Sequence, residues 1–221
     1  MTERLGPPPH AMPRLRPADV HKISAGQFVG RVFFAAGPHP AVWDSFRNFG
    51  PVASMRFDHH PAPTRVHPVR AIAYAAPSQT SDGRAIDPLE TCVLECFSST
   101  RTIDTRFNEP WFVLWRAARP IPVLDVVDSA WIVRAGGNAA ISSGARSMAR
   151  RWSKAVYRTY PSVAGIYFES SNLPSSRSVA LYERAQSALP PRYDAAFPLT
   201  HPLLRSALRR IAHQYAFNLV L

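Results

Sequence analysis

The residues predict an α/β (α+β) domain, and three observations carry that expectation. Hydrophobic side chains make up 46% of the 221 residues and aromatics 11%, a composition that builds a core. Short apolar runs bounded by proline, glycine and polar clusters recur along the chain, as strands do. Three longer stretches carry apolar residues at helical spacing instead. The length suits one domain over 21–221, preceded by an arm over 1–20.

Residues 1–20 are rich in proline, arginine and histidine without periodicity, and read as a flexible, extended arm. Gln27 to Ala36 (QFVGRVFFAA) is apolar apart from Arg31, which suits a buried strand. Residues 37–69 hold six prolines and several histidines and read as a long irregular excursion, with a short helix expected around Ala41 to Phe49. Arg70 to Ala76 (RAIAYAA) is a second strand, and Pro77 to Arg84 a polar loop. Asp87 then caps a helix, with Pro88 at its first position and Glu90 three residues after the cap in a variant of the capping box. Its buried stripe is Leu89, Cys92, Val93, Cys96 and Phe97, and Glu95 points about 130° away from the stripe centre, toward solvent or a cleft beside the sheet.

Phe112 to Ala118 and Val123 to Val127 read as further strands, separated by Pro120 and Pro122. A helix is expected from Ser142 or Ser143 to about Tyr160, with Met148, Trp152, Ala155 and Val156 inward. Val163 to Phe168 and Val179 to Tyr182 are two more strands. The last helix, over 202–217, carries Leu204, Ala207, Leu208, Ile211 and Tyr215 on one side.

Several function classes are disfavoured. The N-terminus has no apolar run behind a basic start, and nowhere do 18 apolar residues follow one another, so a cytoplasmic chain without membrane contact is expected. Two cysteines, Cys92 and Cys96, fit free thiols in a reducing compartment. The net charge of +11 invites a nucleic-acid reading. Of the 26 basic residues, however, only Lys22 and Lys154 are lysine; with 22 prolines and abundant alanine, this resembles the codon bias of a GC-rich genome. Direct nucleic-acid binding is therefore not expected as the main function.

Candidate chemistry narrows by elimination. His59, His60 and His67 lack any zinc-binding spacing, and adjacent histidines in a proline-rich loop are expected to be exposed, so no metal site is assigned. No nucleophile elbow, P-loop or dinucleotide fingerprint occurs. Arg146, Arg150, Lys154 and Arg158 form a basic ridge at four-residue steps, which reads as a solvated face before a docking surface for an acidic partner. What remains is a set of polar residues in or beside apolar segments: Arg31, Arg56, Tyr74, Glu95 and Ser170. Pattern alone would not select them.

The order of segments resembles the RES-domain family. The matching stretches are GRVFF (Gly30 to Phe34), GPVASMRFD (Gly50 to Asp58), AIAYAA (Ala71 to Ala76) and ETCVLECF (Glu90 to Phe97). RSMARRWSKAV (Arg146 to Val156), GIYFESSNL (Gly165 to Leu173) and SVALYE (Ser178 to Glu183) follow in family order, so the resemblance spans about 28–185. It implies a compact mixed sheet with flanking helices, similar to ADP-ribosyltransferase toxins, and an enzyme that cleaves the nicotinamide N-glycosidic bond of NAD with water or phosphate as acceptor. NAD is then a substrate, and no cofactor is expected. It further implies a toxin of a bacterial toxin–antitoxin pair, whose antitoxin carries a helix-turn-helix region; a homodimer is left open.

By the same resemblance, Arg31 and Arg56 would hold the pyrophosphate, as guanidinium forks suit phosphate oxygens. Glu95 would stabilise oxocarbenium character on the ribose. Tyr74 would pack on the nicotinamide side with its hydroxyl orienting a neighbour, and Ser170 would donate a hydrogen bond to substrate. Arg56, Glu95, Tyr74 and Ser170 are the catalytic candidates; Arg31, Arg56, Tyr74 and Ser170 are those for substrate binding. The chain departs from the family at Phe168, where tyrosine is frequent, at Asn172, where arginine commonly follows, and in the inserted segment 77–86. The alternatives are an ADP-ribosyltransferase acting on a protein, and a non-catalytic or nucleic-acid-binding module.

Overall fold

The computed structural model describes residues 4–81 and 83–221. A 3-10 turn at Pro17–Asp19 leads into β1 (Val20–Ile23) and β2 (Phe28–Phe34). The excursion holds only a two-residue pair, β3 (Phe49–Gly50) and β4 (Arg65–Val66), before β5 (Ile72–Pro77). A small hairpin, β6 (Gln79–Ser81) and β7 (Arg84–Ile86), precedes α1 (Pro88–Phe97). After β8 (Thr102–Asp104) come β9 (Pro110–Arg116), β10 (Ile121–Asp125) and three helices: α2 (Trp131–Arg134), α3 (Ala140–Ser143) and α4 (Arg146–Thr159). The chain closes with β11 (Gly165–Glu169), β12 (Arg177–Tyr182), a 3-10 turn at Glu183–Ala188, β13 (Ala195–Pro198), α5 (Pro202–Gln214) and β14 (Asn218–Val220).

Eight strands form one mixed sheet in the order β1-β10-β11-β12-β5-β2-β9-β13. Only β10 and β11 run parallel; every other neighbouring pair is antiparallel. β2 and β5 pair only at Val29↔Pro77 and Gly30↔Ala76, after which β2 follows β9 through Phe34. Beyond that fork β5 takes a different neighbour, because Arg47 bridges to Ile72.

Alternation along the strands sorts side chains onto two faces. One face carries Val29, Phe33, Ala75, Val113, Trp115, Tyr167, Val179 and Leu181 in a continuous cluster. The other carries two clusters. Ile72, Leu124, Ile166, Phe168, Ala180 and Tyr182 pack against α4 through Ala149, Trp152 and Val156. Ala76 and Phe112 pack against α1 and α5 through Leu89, Val93, Leu208 and Ile211. Tyr74 joins the first of these and Ala76 the second, so the boundary between helix layers lies over β5. The α4 layer and the α1 layer part along a line over β5, here termed the groove. Gly30 lets α1 approach β2 closely, since a Cβ there would lie 2.6 Å from Pro88 Cβ and 2.8 Å from Phe112.

Several expectations from sequence need correction. The arm is fastened to the body: Leu5 is 4% exposed, Trp152 Nε1 donates to the Gly6 carbonyl at 2.8 Å, and Tyr160 donates to that of Pro13 at 2.5 Å. Its first three residues lie outside the described ones. No helix forms over Ala41 to Phe49, because long-range partners take its backbone: Arg31 binds the Trp43 and Ser45 carbonyls, and Arg47 pairs with Ile72. Within 77–84, a hairpin replaces the expected loop around residue 82, which is not described. The expected helix from Ser142 breaks at Gly144, where the backbone is extended, into α3 and α4. Asp87 does cap α1, accepting from the Leu89 N–H at 2.8 Å, but Glu90 accepts from Arg84 at 2.8 Å instead of closing a capping box.

Candidate active site

Tyr74 stands where the sheet meets the groove. Its hydroxyl accepts from the Phe57 N–H at 3.0 Å and donates to Asp58 Oδ1 at 3.1 Å. Asp58 is fully buried and also receives Arg47 Nη2 at 2.6 Å and the Val52 N–H at 2.7 Å. Burial, with the Asp58 charge beside it, pushes the Tyr74 pKa well above the ordinary phenol range, so the hydroxyl stays protonated. Tyr74 thus acts as a clasp that holds the segment bearing Arg56. Neither Asp58 nor Arg47 was singled out from sequence; Asp58 lies two residues past Arg56, inside the same matching stretch.

Glu95 comes from the helix opposite. It faces the loop after β11, since its Oε1 receives Ser170 Oγ at 2.5 Å and Asn172 Nδ2 at 3.1 Å. Ser170 is only 1% exposed, and its Oγ also accepts the N–H groups of Asn172 at 3.3 Å and Leu173 at 3.1 Å. One turn earlier on the same face of α1, Thr91 donates to Ser176 Oγ at 3.1 Å. Two contacts spaced by four residues therefore hold the 170–176 loop on α1. Glu95 Oε2 receives no hydrogen bond among the described residues, and the residue is half-buried. Asn172, one of the departures from the resemblance, is thus a hydrogen-bond donor to the carboxylate. Phe168 packs on Phe57 with ring centroids 4.6 Å apart.

Arg56 is half-buried at the rim, its Nη1 donating to the Gly144 carbonyl at 2.7 Å. Burial lowers its pKa, the neighbouring Arg146 guanidinium lowers it further, and Glu95 and Tyr74 act in the opposite direction. These opposing influences put Arg56 within electrostatic reach of both Glu95 and Tyr74. Among the sequence candidates, Ser170 binds Glu95 directly, and Glu95 and Tyr74 both act on the Arg56 guanidinium.

Arg31 does not join them. Alternation along β2 sends it to the face of Val29 and Phe33, where it lines a small cavity with Trp43, Phe46, Ala75, Trp115 and Leu181. Its Nη1 donates to Ser45 O at 2.5 Å and Trp43 O at 3.2 Å, and burial pulls its pKa down to about 10. The expectation that Arg31 and Arg56 share one pyrophosphate is therefore corrected: Arg31 ties down the loop that fills the fork between β2 and β5.

His59 and His60 are buried, contrary to the expected exposure. His59 Nε2 lies 3.4 Å from Glu183 Oε2, a long contact, and His60 Nε2 lies 3.0 Å from the Arg70 carbonyl. Burial lowers both histidine pKa values, that of His60 to about 4. The ridge on α4 is also more than a solvated face, for Arg150 donates to the carbonyls of Ala53 at 2.8 Å and Met55 at 2.9 Å. Burial pushes the Cys96 thiol up to about 12, against a nucleophilic role for it. No helix among the described residues is long and apolar enough to cross a membrane.

No protein-family model matches the chain, and no curated protein matches it. Its fold is similar to that of a chain in the crystal structure of the M. tuberculosis MbcT-MbcA toxin-antitoxin complex. The TM-score is 0.53 at 14% identity, over 86% of this chain and 92% of that one. At that identity the likeness establishes the mixed α/β fold.

Proposed function

We propose that this chain cleaves the nicotinamide N-glycosidic bond of NAD and serves as the toxin of a toxin–antitoxin pair. The observation that carries the reading is Glu95, whose Oε1 is fixed by Ser170 and Asn172 while Oε2 receives no hydrogen bond among the described residues, and whose charge acts on the Arg56 guanidinium. The shared fold with a chain of a toxin-antitoxin complex supports the biological role, and an antitoxin is the partner it implies.

The chemistry follows from the groups present. The bond between the ribose anomeric carbon and the nicotinamide ring nitrogen breaks with both electrons leaving on nicotinamide, which departs neutral. The positive charge left on the ribose is stabilised by the Glu95 carboxylate at close range, with little reorganisation because Ser170 and Asn172 already fix its geometry. Ser170 is committed to Glu95, so it positions the carboxylate and is not free to donate to substrate. Tyr74, protonated and clasped to Asp58, offers its ring as a wall for the nicotinamide end. Water or phosphate then forms the new bond at the anomeric carbon and releases a proton.

The test is nicotinamide release from NAD by the purified chain, with and without phosphate, beside Arg56→Ala and Glu95→Ala variants shown to be folded. Release lost in both variants supports the site, and a requirement for phosphate identifies phosphorolysis. Labelling of a protein target with the ADP-ribosyl group would instead identify a transferase. Absence of release from folded wild type under every condition would refute the reading.

A further inference from the structure

The basic ridge of α4 is not absorbed by the cleavage chemistry, and its first member has an unusual neighbour. Two sets of contacts stitch α4 to the segment that carries Arg56. Arg56 Nη1 reaches the Gly144 carbonyl at 2.7 Å, just before the helix starts, and Arg150 reaches the carbonyls of Ala53 and Met55 at 2.8 and 2.9 Å. Arg146 lies between these attachment points in sequence, one turn before Arg150 on the same face of the helix. The stitching therefore brings it beside the Arg56 guanidinium.

Arg146 is exposed and makes no hydrogen bond or ion pair among the described residues. Arg56 spends one nitrogen on a carbonyl, and the carboxylate that acts on it, Glu95, is already bound on one oxygen by Ser170 and Asn172. Two guanidiniums brought together, with one carboxylate acting on Arg56, leave an excess positive charge at the groove mouth. Like charges repel, and the Arg146 charge disfavours the protonated form of Arg56. An anion bound between them would relieve that repulsion, and two planar forks match the several oxygens of a phosphate group.

We infer that Arg146 and Arg56 together form a phosphate-binding subsite at the mouth of the groove, with Arg146 the second cation in place of Arg31, which lies on the other face of the sheet. The ligand chemistry is a phosphoryl oxygen cluster, from either the pyrophosphate of the dinucleotide or a free phosphate. Its place in the reaction rests on the NAD-cleavage reading; the anion site itself does not. Arg146 is a substrate-positioning residue that sets affinity, whereas Glu95 sets the rate of bond cleavage.

The test titrates the full chain with inorganic phosphate, inorganic pyrophosphate and ADP-ribose, comparing wild type, Arg146→Ala, Arg146→Lys and Arg209→Ala. Arg209 is an exposed arginine of α5 and controls for the loss of one positive charge. Nicotinamide release from NAD is followed in parallel. Arg146→Ala is expected to weaken pyrophosphate and ADP-ribose binding by about tenfold or more and to raise KM for NAD with kcat little changed. Arg146→Lys should recover part of the affinity, and Arg209→Ala should match wild type. Weakening confined to inorganic phosphate would support the subsite and assign it to the free anion. Wild-type affinity of Arg146→Ala for all three probes, an equal loss in Arg209→Ala, or no binding by wild type would overturn the subsite. A chain that binds pyrophosphate through Arg146 yet releases no nicotinamide would leave the subsite standing and overturn the NAD reading alone.

Discussion

On one face of the sheet Arg31 sits among Trp43, Phe46 and Trp115, with two loop carbonyls on its guanidinium. On the other face Arg56 shares the groove mouth with a second guanidinium and a carboxylate. Both arginines lie in stretches that resemble one family, yet their surroundings assign them different work. A cation whose donors go to backbone carbonyls in an apolar setting holds a loop in place. A cation at a rim, with donors to spare and another cation beside it, is suited to bind an anion.

The two sites can be told apart by experiment, and the largest effect should come from the groove. Glu95→Gln keeps the hydrogen bonds from Ser170 and Asn172 but removes the charge. It is expected to lower kcat for nicotinamide release by about 10²–10³-fold with an unchanged urea midpoint. A rate loss that simply followed a loss of stability would erase the distinction between groove and core.

Next in size is the contrast between the arginines themselves. Arg31→Met removes the ties to Trp43 and Ser45 and should cost about 2–3 kcal/mol in urea unfolding, whereas Arg56→Met should cost less than about 1 kcal/mol. Equal costs would break the comparison.

Acid should act on the groove side through the residues that follow Arg56. His60 is neutral in the fold, with its pKa lowered to about 4, so the unfolded chain takes up its proton first as the pH falls. Stability is then complete above about pH 6.5 and declines toward pH 4, by about 3 kcal/mol for this residue. Glu183 shifts the other way relative to its charge, held down to about 2 by His59, Tyr157 and the Ala71 N–H despite burial, and extends the decline from about pH 4.5 downward. Urea unfolding at stepped pH checks this, and His60→Gln should flatten the upper part of the profile.

The smallest effect concerns the start of α1. Asp87→Ala deletes the cap on Leu89 and should cost about 1 kcal/mol, with kcat falling far less than in Glu95→Gln because Thr91 and Glu95 still anchor the helix to the 170–176 loop. A larger loss of kcat than of stability would show that the cap sets the Glu95 geometry.

Legibility in the sequence followed the range of each interaction. The start of α1 was readable because Asp87, Pro88 and the apolar stripe act within one or two turns. Strand runs such as Phe28–Phe34 and Ile72–Pro77 were readable because burial on both faces leaves near-continuous apolar residues. Glu95, Tyr74, Arg56 and Ser170 were reached only through the resemblance, since each is a common residue with an ordinary local role. Asp58 escaped notice because its partners, Arg47 and Tyr74, are 11 and 16 positions away. The contacts that fasten the arm span more than 140 positions, from Trp152 to Gly6 and from Tyr160 to Pro13.

By itself, then, the sequence determined the α/β class, the helices that start at 88 and 202, the body of the helix that ends near 159 and the main strand segments, since propensity, capping and periodicity are local. Tertiary structure alone decided which arginine meets the groove. That choice depends on the alternation of β2, the fork from β5 and the stitching of α4 to the Arg56 segment, all set by contacts between residues far apart in the chain.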